Sequence, residues 1–283
     1  MRQIAEPTLT DKEKKISYSK YFYREEDKID ADIQKVLDSK VMMDAKDVIL
    51  GDEINKMLDP KNLKVENGYC ILPDGCGYVA AYHKMPGVTK EMYSWWNNWW
   101  TSSADSNLRY KIWCPKHHYN CGFKWNLETC GTGMPLEDVY IEDLFRNHPE
   151  QMGLDLEKMK NSNLVMADGA NATSRVLNGD YSVRPIPSIV CHFVYETEDG
   201  IEMRTRFWKG YQILGGKFYK VIKEDDVVSK ESLIGLLEHN AREMQGLKNI
   251  LPDLYREEYK WNRKIHIIFI KYSQKRNILK RFL

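Results

Sequence analysis

The chain has 283 residues, 42% of them hydrophobic, and its 42 Lys and Arg nearly balance 41 Asp and Glu for a formal net charge of +1. That length suits one large domain, or one domain with a small appendage, and the apolar content is ample for a packed core. The balanced charge excludes a global field that would draw nucleic acid or an acidic partner, and no uninterrupted apolar run is long enough to span a bilayer.

The first residues carry no apolar core of signal-peptide length, so a cytoplasmic protein is expected. Six cysteines (Cys70, Cys76, Cys114, Cys121, Cys130 and Cys191) form no C-x-x-C pair, which argues against a zinc knuckle or a thioredoxin-like motif and fits free thiols in a reducing compartment. Residues 1–70 are charged and helix-leaning, with apolar residues at three-four spacing over 29–37 and 45–58, and read as a small helical N-terminal region. The character changes at Asn67-Gly68 and again at Pro73-Asp74-Gly75. Residues 77–85 then alternate as a strand, Pro86-Gly87 turns the chain, and 90–100 form an aromatic-rich helix with Thr89 as its N-cap.

Strand-like runs follow at 108–114, 133–142, 162–168, 172–178, 189–196 and 202–211, with Asp199-Gly200 as a hairpin turn. A long helix from Lys230 closes the unit, with Pro252 expected to stop it, and a basic tail occupies 261–283. Strands in series without intervening helices predict an α+β fold in which a curved antiparallel sheet, over 71–260, is covered by the last helix, leaving a cavity between them.

His239 and Glu243 lie four apart on the apolar stripe that Leu236, Leu247 and Ile250 define. A pair at this spacing is often a surface ion pair or a histidine satisfied by its neighbour; on a buried face it can instead grip one cation. If it binds a metal, the sheet must supply the remaining ligands, from His83, His117, His118, His192 and inward-facing acids. His118 follows Pro115 at the rim of the sheet, and Glu142 is a carboxylate in an otherwise apolar strand. Two histidines and two carboxylates suit zinc, with manganese or iron compatible by ligand type.

Four separated segments carry a resemblance: G-Y-V-A-A-Y-H-K-M-P-G-V-T-K-E-M-Y-S-W-W from Gly77, L-R-Y-K-I-W-C-P-K-H-H from Leu108, V-C-H-F-V from Val190 with the following E-M-R-T-R-F-W, and E-H-N-A-R-E-M from Glu238. In this order they resemble the diacetylphloroglucinol hydrolase and phloretin hydrolase family over residues 68–259. The resemblance implies a Bet v 1 or START-like helix-grip domain, a mainly helical N-terminal part involved in dimerisation, and zinc-dependent hydrolysis of the carbon-carbon bond between a phloroglucinol ring and an acyl group. It implies Zn2+ ligation by His118, Glu142, His239 and Glu243, and places Tyr110 and His192 against the phenolic or acyl oxygens of the substrate. The chain departs from the pattern at Cys121, where the diacetylphloroglucinol enzyme has an Asn; a thiol is a poor hydrogen-bond donor.

The expected substrate is therefore phloretin, with 2,4-diacetylphloroglucinol as the alternative, and Trp95, Trp96 and Trp113 are candidates to stack on its second ring or to be plain core. Cys121 and Tyr211 are expected to line the substrate site with Tyr110 and His192. His192 is the expected proton shuttle, on the ground of a neutral-range pKa, Tyr110 the holder of a ring hydroxyl, and Glu142 or Glu243 the base. A non-catalytic helix-grip module binding polyphenols, or an iron oxygenase acting on aromatic rings, are the rival readings. Small-molecule chemistry as a homodimer, without nucleic acid or membrane, completes the expectation.

Overall fold

The computed structural model describes residues 7–25, 28–101, 105–123, 137–145, 148–176 and 186–279, with side chains described for all of these except 119–120, 122–123, 137–144, 174–176 and 260–279. Seven strands form one sheet: β1 (Gly68–Ile71), β2 (Gly77–Pro86), β3 (His118–Phe123), β4 (Glu137–Leu144), β5 (Leu164–Val176), β6 (Ile186–Glu196) and β7 (Gly200–Lys209). Their spatial order is β1-β2-β7-β6-β5-β4-β3. Every pairing from β1 to β4 is antiparallel. A short hairpin, β8 (Tyr211–Leu214) with β9 (Lys217–Lys220), stands apart from this sheet.

Strand alternation decides what each face carries. Val79, Ala81 and His83 of β2 pair with Phe207, Thr205 and Met203 of β7, which in turn lie opposite Val190, His192 and Val194 of β6. This inner face packs on the long helix α5 (Lys230–Leu279) through Leu233, Leu236, Leu237, Met244 and Leu247. Helix α1 (Ala31–Ser39) adds Ile33 and Leu37 to the same layer, while α2 (Lys90–Thr101) and α3 (Ser106–Trp113) cover its other end. The outer face, with Tyr78, Trp208, Cys191, Phe193 and Tyr195, is covered by 3-10 segments Ala45–Asp47 and Gly51–Leu58 and by the β8-β9 hairpin. The short helix α4 (Leu156–Lys160) starts on Asp155, whose carboxylate accepts from the Glu157 and Lys158 amides.

Several expectations are corrected. Residues 108–114 do not form a strand: Leu108, Tyr110, Ile112 and Trp113 are buried around α3, and Pro115 ends a helix, because the residue before proline is pushed out of helical geometry. The sheet is not wholly antiparallel, since β3 runs parallel to β4. The runs expected at 162–168 and 172–178 merge into a single strand, β5 (Leu164–Val176), with residues 177–178 lying outside the described residues. At Gly210 a positive φ of 96° separates β7 from β8, and a side chain there would also meet Cys76 Sγ. Pro252 does not stop the last helix. Its missing N–H removes one bond of the ladder, but Leu251 and Leu254 on either side are buried against the core, and α5 continues to Leu279 through the segment expected to be a tail. Among the described residues no helix is long and apolar enough to cross a membrane.

Candidate metal centre

The chain leaves α3 at Trp113, and the amides of His117 and His118 both donate to the Cys114 carbonyl, a tight turn that sets His118 as the first residue of β3. His118 is fully buried. Its Nδ1 lies 2.9 Å from the Tyr110 carbonyl oxygen, which can only accept, so the proton sits on Nδ1 and Nε2 carries a lone pair. The Tyr110 ring stacks flat on the imidazole, 3.7 Å between centroids at 6°. These two contacts hold the ring in one orientation.

On α5, His239 and Glu243 face the same point. His239 Nε2 is 3.2 Å from His118 Nε2, and Glu243 Oε2 is 3.5 Å from His118 Nε2 and 3.7 Å from His239 Nε2. Ligands held about 2.0–2.2 Å from a tetrahedral zinc lie roughly 3.3–3.6 Å from one another, so the three donor atoms fit the edges of one coordination sphere. All three residues are buried, and a desolvated carboxylate between two imidazoles needs a cation or a proton. Cys114, His117 and His239 form a second group of donors. It shares His239, whose Nδ1 is 3.3 Å from His117 Nδ1, and one neutral imidazole cannot give a lone pair to both groups. A ring that uses Nε2 for the inner group has its proton on Nδ1, where it donates to His117.

The inner face of the sheet contributes His192, whose Nδ1 lies 2.9 Å from the Thr205 hydroxyl, with the buried Asp168 opposite it on β5. Burial pushes the His192 imidazole down to about 4, with the nearby Glu243 carboxylate acting in the opposite direction and His83 in the same one. Burial thus takes this imidazole below the neutral range expected of it, which favours its uncharged form and makes it a weaker base than an exposed histidine. Burial likewise lowers the pKa of His83, whose Nε2 lies 3.0 Å from Asn240 Oδ1.

Cys121 sits on β3, buried in the cluster that includes Tyr110 and Met244, and its amide donates to Asn107 Oδ1. Glu142 occupies the β-bulge where β4 slips against β5; its side chain lies outside the described residues. Tyr211 is not brought to the centre. It packs in the outer-face cluster, and its hydroxyl donates to Asp74 Oδ2. Trp113 donates its indole N–H to the Glu243 carbonyl at 2.9 Å and meets Trp96 and Trp100 edge-on or tilted, while Trp95 stacks on Trp99. Their contacts are those of a packed core between α2, α3 and α5. Asn240, Thr205 and Asp168 carry no sequence signal of their own: the contacts of Asn240 with His83 and of Thr205 with His192 join separate elements.

Residues 49–256 match the family described as DAPG hydrolase PhiG domain. The chain is 30% identical to phloretin hydrolase of Eubacterium ramulus over 272 residues, covering 88% of this chain and 93% of that protein. It is 26% identical to 2,4-diacetylphloroglucinol hydrolase of Pseudomonas protegens over 232 residues, 73% of each chain, and 26% identical to the same-named enzyme of a Pseudomonas species. With the matched span covering most of the chain, including the sheet, α3 and the part of α5 that bears His239 and Glu243, the chain belongs to the DAPG hydrolase family.

Proposed function

We propose that the protein is a zinc-dependent hydrolase that cleaves the carbon-carbon bond between a phloroglucinol ring and an acyl group, with phloretin as the substrate. The convergence of His118, His239 and Glu243 at one buried point carries this reading, and the extent of the match to the phloretin hydrolase favours phloretin over diacetylphloroglucinol. In this reading Glu142 completes the ligand set from the β4 bulge. The packing of α5 against the inner face of the sheet supports a helix-grip assignment for the catalytic unit.

Zinc, when bound, supplies Lewis acidity that polarises an oxygen and brings the pKa of water toward neutrality. The chain's own groups manage the protons. A phenyl carbanion is a prohibitive leaving group, so the ring carbon bearing the acyl group must be protonated before that bond breaks. His192, neutral and fixed through Nδ1 by Thr205, accepts a proton at Nε2 and returns it to that carbon. Tyr110 holds a ring hydroxyl and favours the keto tautomer. The balance is that of hydrolysis: the hydroxyl of water ends on the acyl carbon as a carboxylic acid, and the remaining proton ends on the ring.

Zinc-loaded protein supplied with phloretin should release phloroglucinol, and a chelated sample should not. Release that survives chelation would remove the metal from the reaction. Release from 2,4-diacetylphloroglucinol alone would keep the reaction class and change the substrate.

A further inference from the structure

Asn240 follows His239 on α5 and precedes Glu243 by three residues, so Asn240 and Glu243 are neighbours on the helix surface. Asn240 is fully buried, and its amide is engaged in both directions. Nδ2 donates to Glu243 Oε1 at 2.8 Å, and Oδ1 lies 3.0 Å from Nε2 of His83, which reaches up from the inner face of β2. The direction of this chain is forced. A carboxylate only accepts, so the amide nitrogen must face Glu243, and the amide oxygen must then accept a hydrogen bond from the His83 Nε2–H. His83 is itself buried.

We propose that His83 and Asn240 are positioning residues that pin Glu243 Oε1, so that only Oε2 is presented to the His118 and His239 nitrogens. Glu243 is then a one-oxygen ligand with its second oxygen already occupied, which removes it as the reaction's base and leaves that role to groups on the sheet. The proposal rests on the metal reading above. Outer partners of this kind orient a ligand before the ion arrives, and losing one commonly weakens metal binding by about 10–100-fold.

The test measures Zn2+ affinity by chelator competition, and the visible absorption of the Co2+-loaded protein, in the full chain. Asn240→Leu and His83→Phe should each weaken Zn2+ binding by about 10–100-fold and alter the cobalt spectrum as Glu243 rotates. His83→Gln, whose amide N–H reaches the place of the imidazole Nε2–H, should restore affinity to within about 3-fold and recover the spectrum. The His83 pair keeps the test decidable if Asn240→Leu fails to fold. Unchanged affinity and spectrum in His83→Phe would overturn the proposal, as would equal losses in His83→Phe and His83→Gln, which would reduce His83 to packing. A wild-type protein that binds neither ion would remove the metal reading and the relay with it, whereas a wild type that binds zinc and turns over substrate beside an unaffected His83→Phe removes the relay alone.

Discussion

His192 is the residue whose environment most constrains its chemistry. Its folded pKa of about 4 lies well below the ordinary histidine value of 6.5, chiefly because burial disfavours the cation. An unfolded chain takes up a proton near pH 6.5, while the folded one does so only near pH 4. Between those values the unfolded state holds the extra proton, so the contribution of this site to stability falls as pH drops from about 6.5 to about 4, and is constant above 6.5. Metal-free protein melted across that range should lose Tm toward acid, and His192→Gln should lose less of it. Parallel curves for the two proteins would show that His192 is protonated in the fold. With His192 in its proposed role, the same pKa predicts a base in working form down to mildly acidic pH, so the acid limb of kcat should lie below 6.5 rather than at it.

At the level of elements, a buried side chain of the sheet pairs with the backbone of the β8-β9 hairpin. Asn171 on β5 is buried, donating through Nδ2 to the Ile213 carbonyl and accepting through Oδ1 from the Ile213 amide, both at 2.8 Å. An asparagine here completes, in place of a neighbouring strand, the backbone pairing that β8 lacks on that side. Asn171→Leu should leave two buried backbone groups unpaired and cost about 2–4 kcal/mol, read from the denaturation midpoint at constant m; a loss below ~0.5 kcal/mol would mean that water or a shifted hairpin replaces the amide. Such long-range polar pairings explain which parts of the molecule were legible in its sequence. The β6-β7 hairpin and the His239–Glu243 pair were, because their signals lie within one turn or one helix face. The α3 segment reads as a strand because Leu108, Tyr110 and Ile112 keep a two-residue period, while the helix they form is buried on more than one side and so shows no single apolar stripe. The contact between His83 and Asn240 spans 157 positions and leaves no local trace. His118 stands among several candidate histidines in the sequence, and only the family resemblance singles it out, while Tyr211 is expected at the site although the positive φ at Gly210 sends the strand that carries it to the other side of the sheet.

Across the whole molecule, the centre exists only where α5 meets the end of α3, because His239 and Glu243 ride on one and His118 follows the other. Polar contacts and a close approach help to fix that junction. Trp113 donates to the Glu243 carbonyl, Arg24 from the N-terminal region donates to the Trp113 carbonyl at 2.8 Å, and Gly246 lets the two elements approach. A side chain at Gly246 would stand 2.6 Å from the Trp113 carbonyl oxygen and collide with the Arg24 guanidinium. Alanine gains about 1 kcal/mol of helix propensity over glycine, but overpacking against a backbone atom costs about 1–3 kcal/mol, and arginine can move aside where the carbonyl cannot. Gly246→Ala should therefore be neutral to mildly destabilising in a thermal melt, while Gly246→Val, which adds bulk without the full propensity gain, should be destabilised by about 2–3 kcal/mol. On the proposed zinc reading, both should lose more in Zn2+ affinity than in stability, because a displacement of about 1 Å between α3 and α5 separates His118 from its partners before it unfolds anything. Wild-type affinity in a folded Gly246→Val protein would show that the junction yields elsewhere and that the donor geometry does not depend on it.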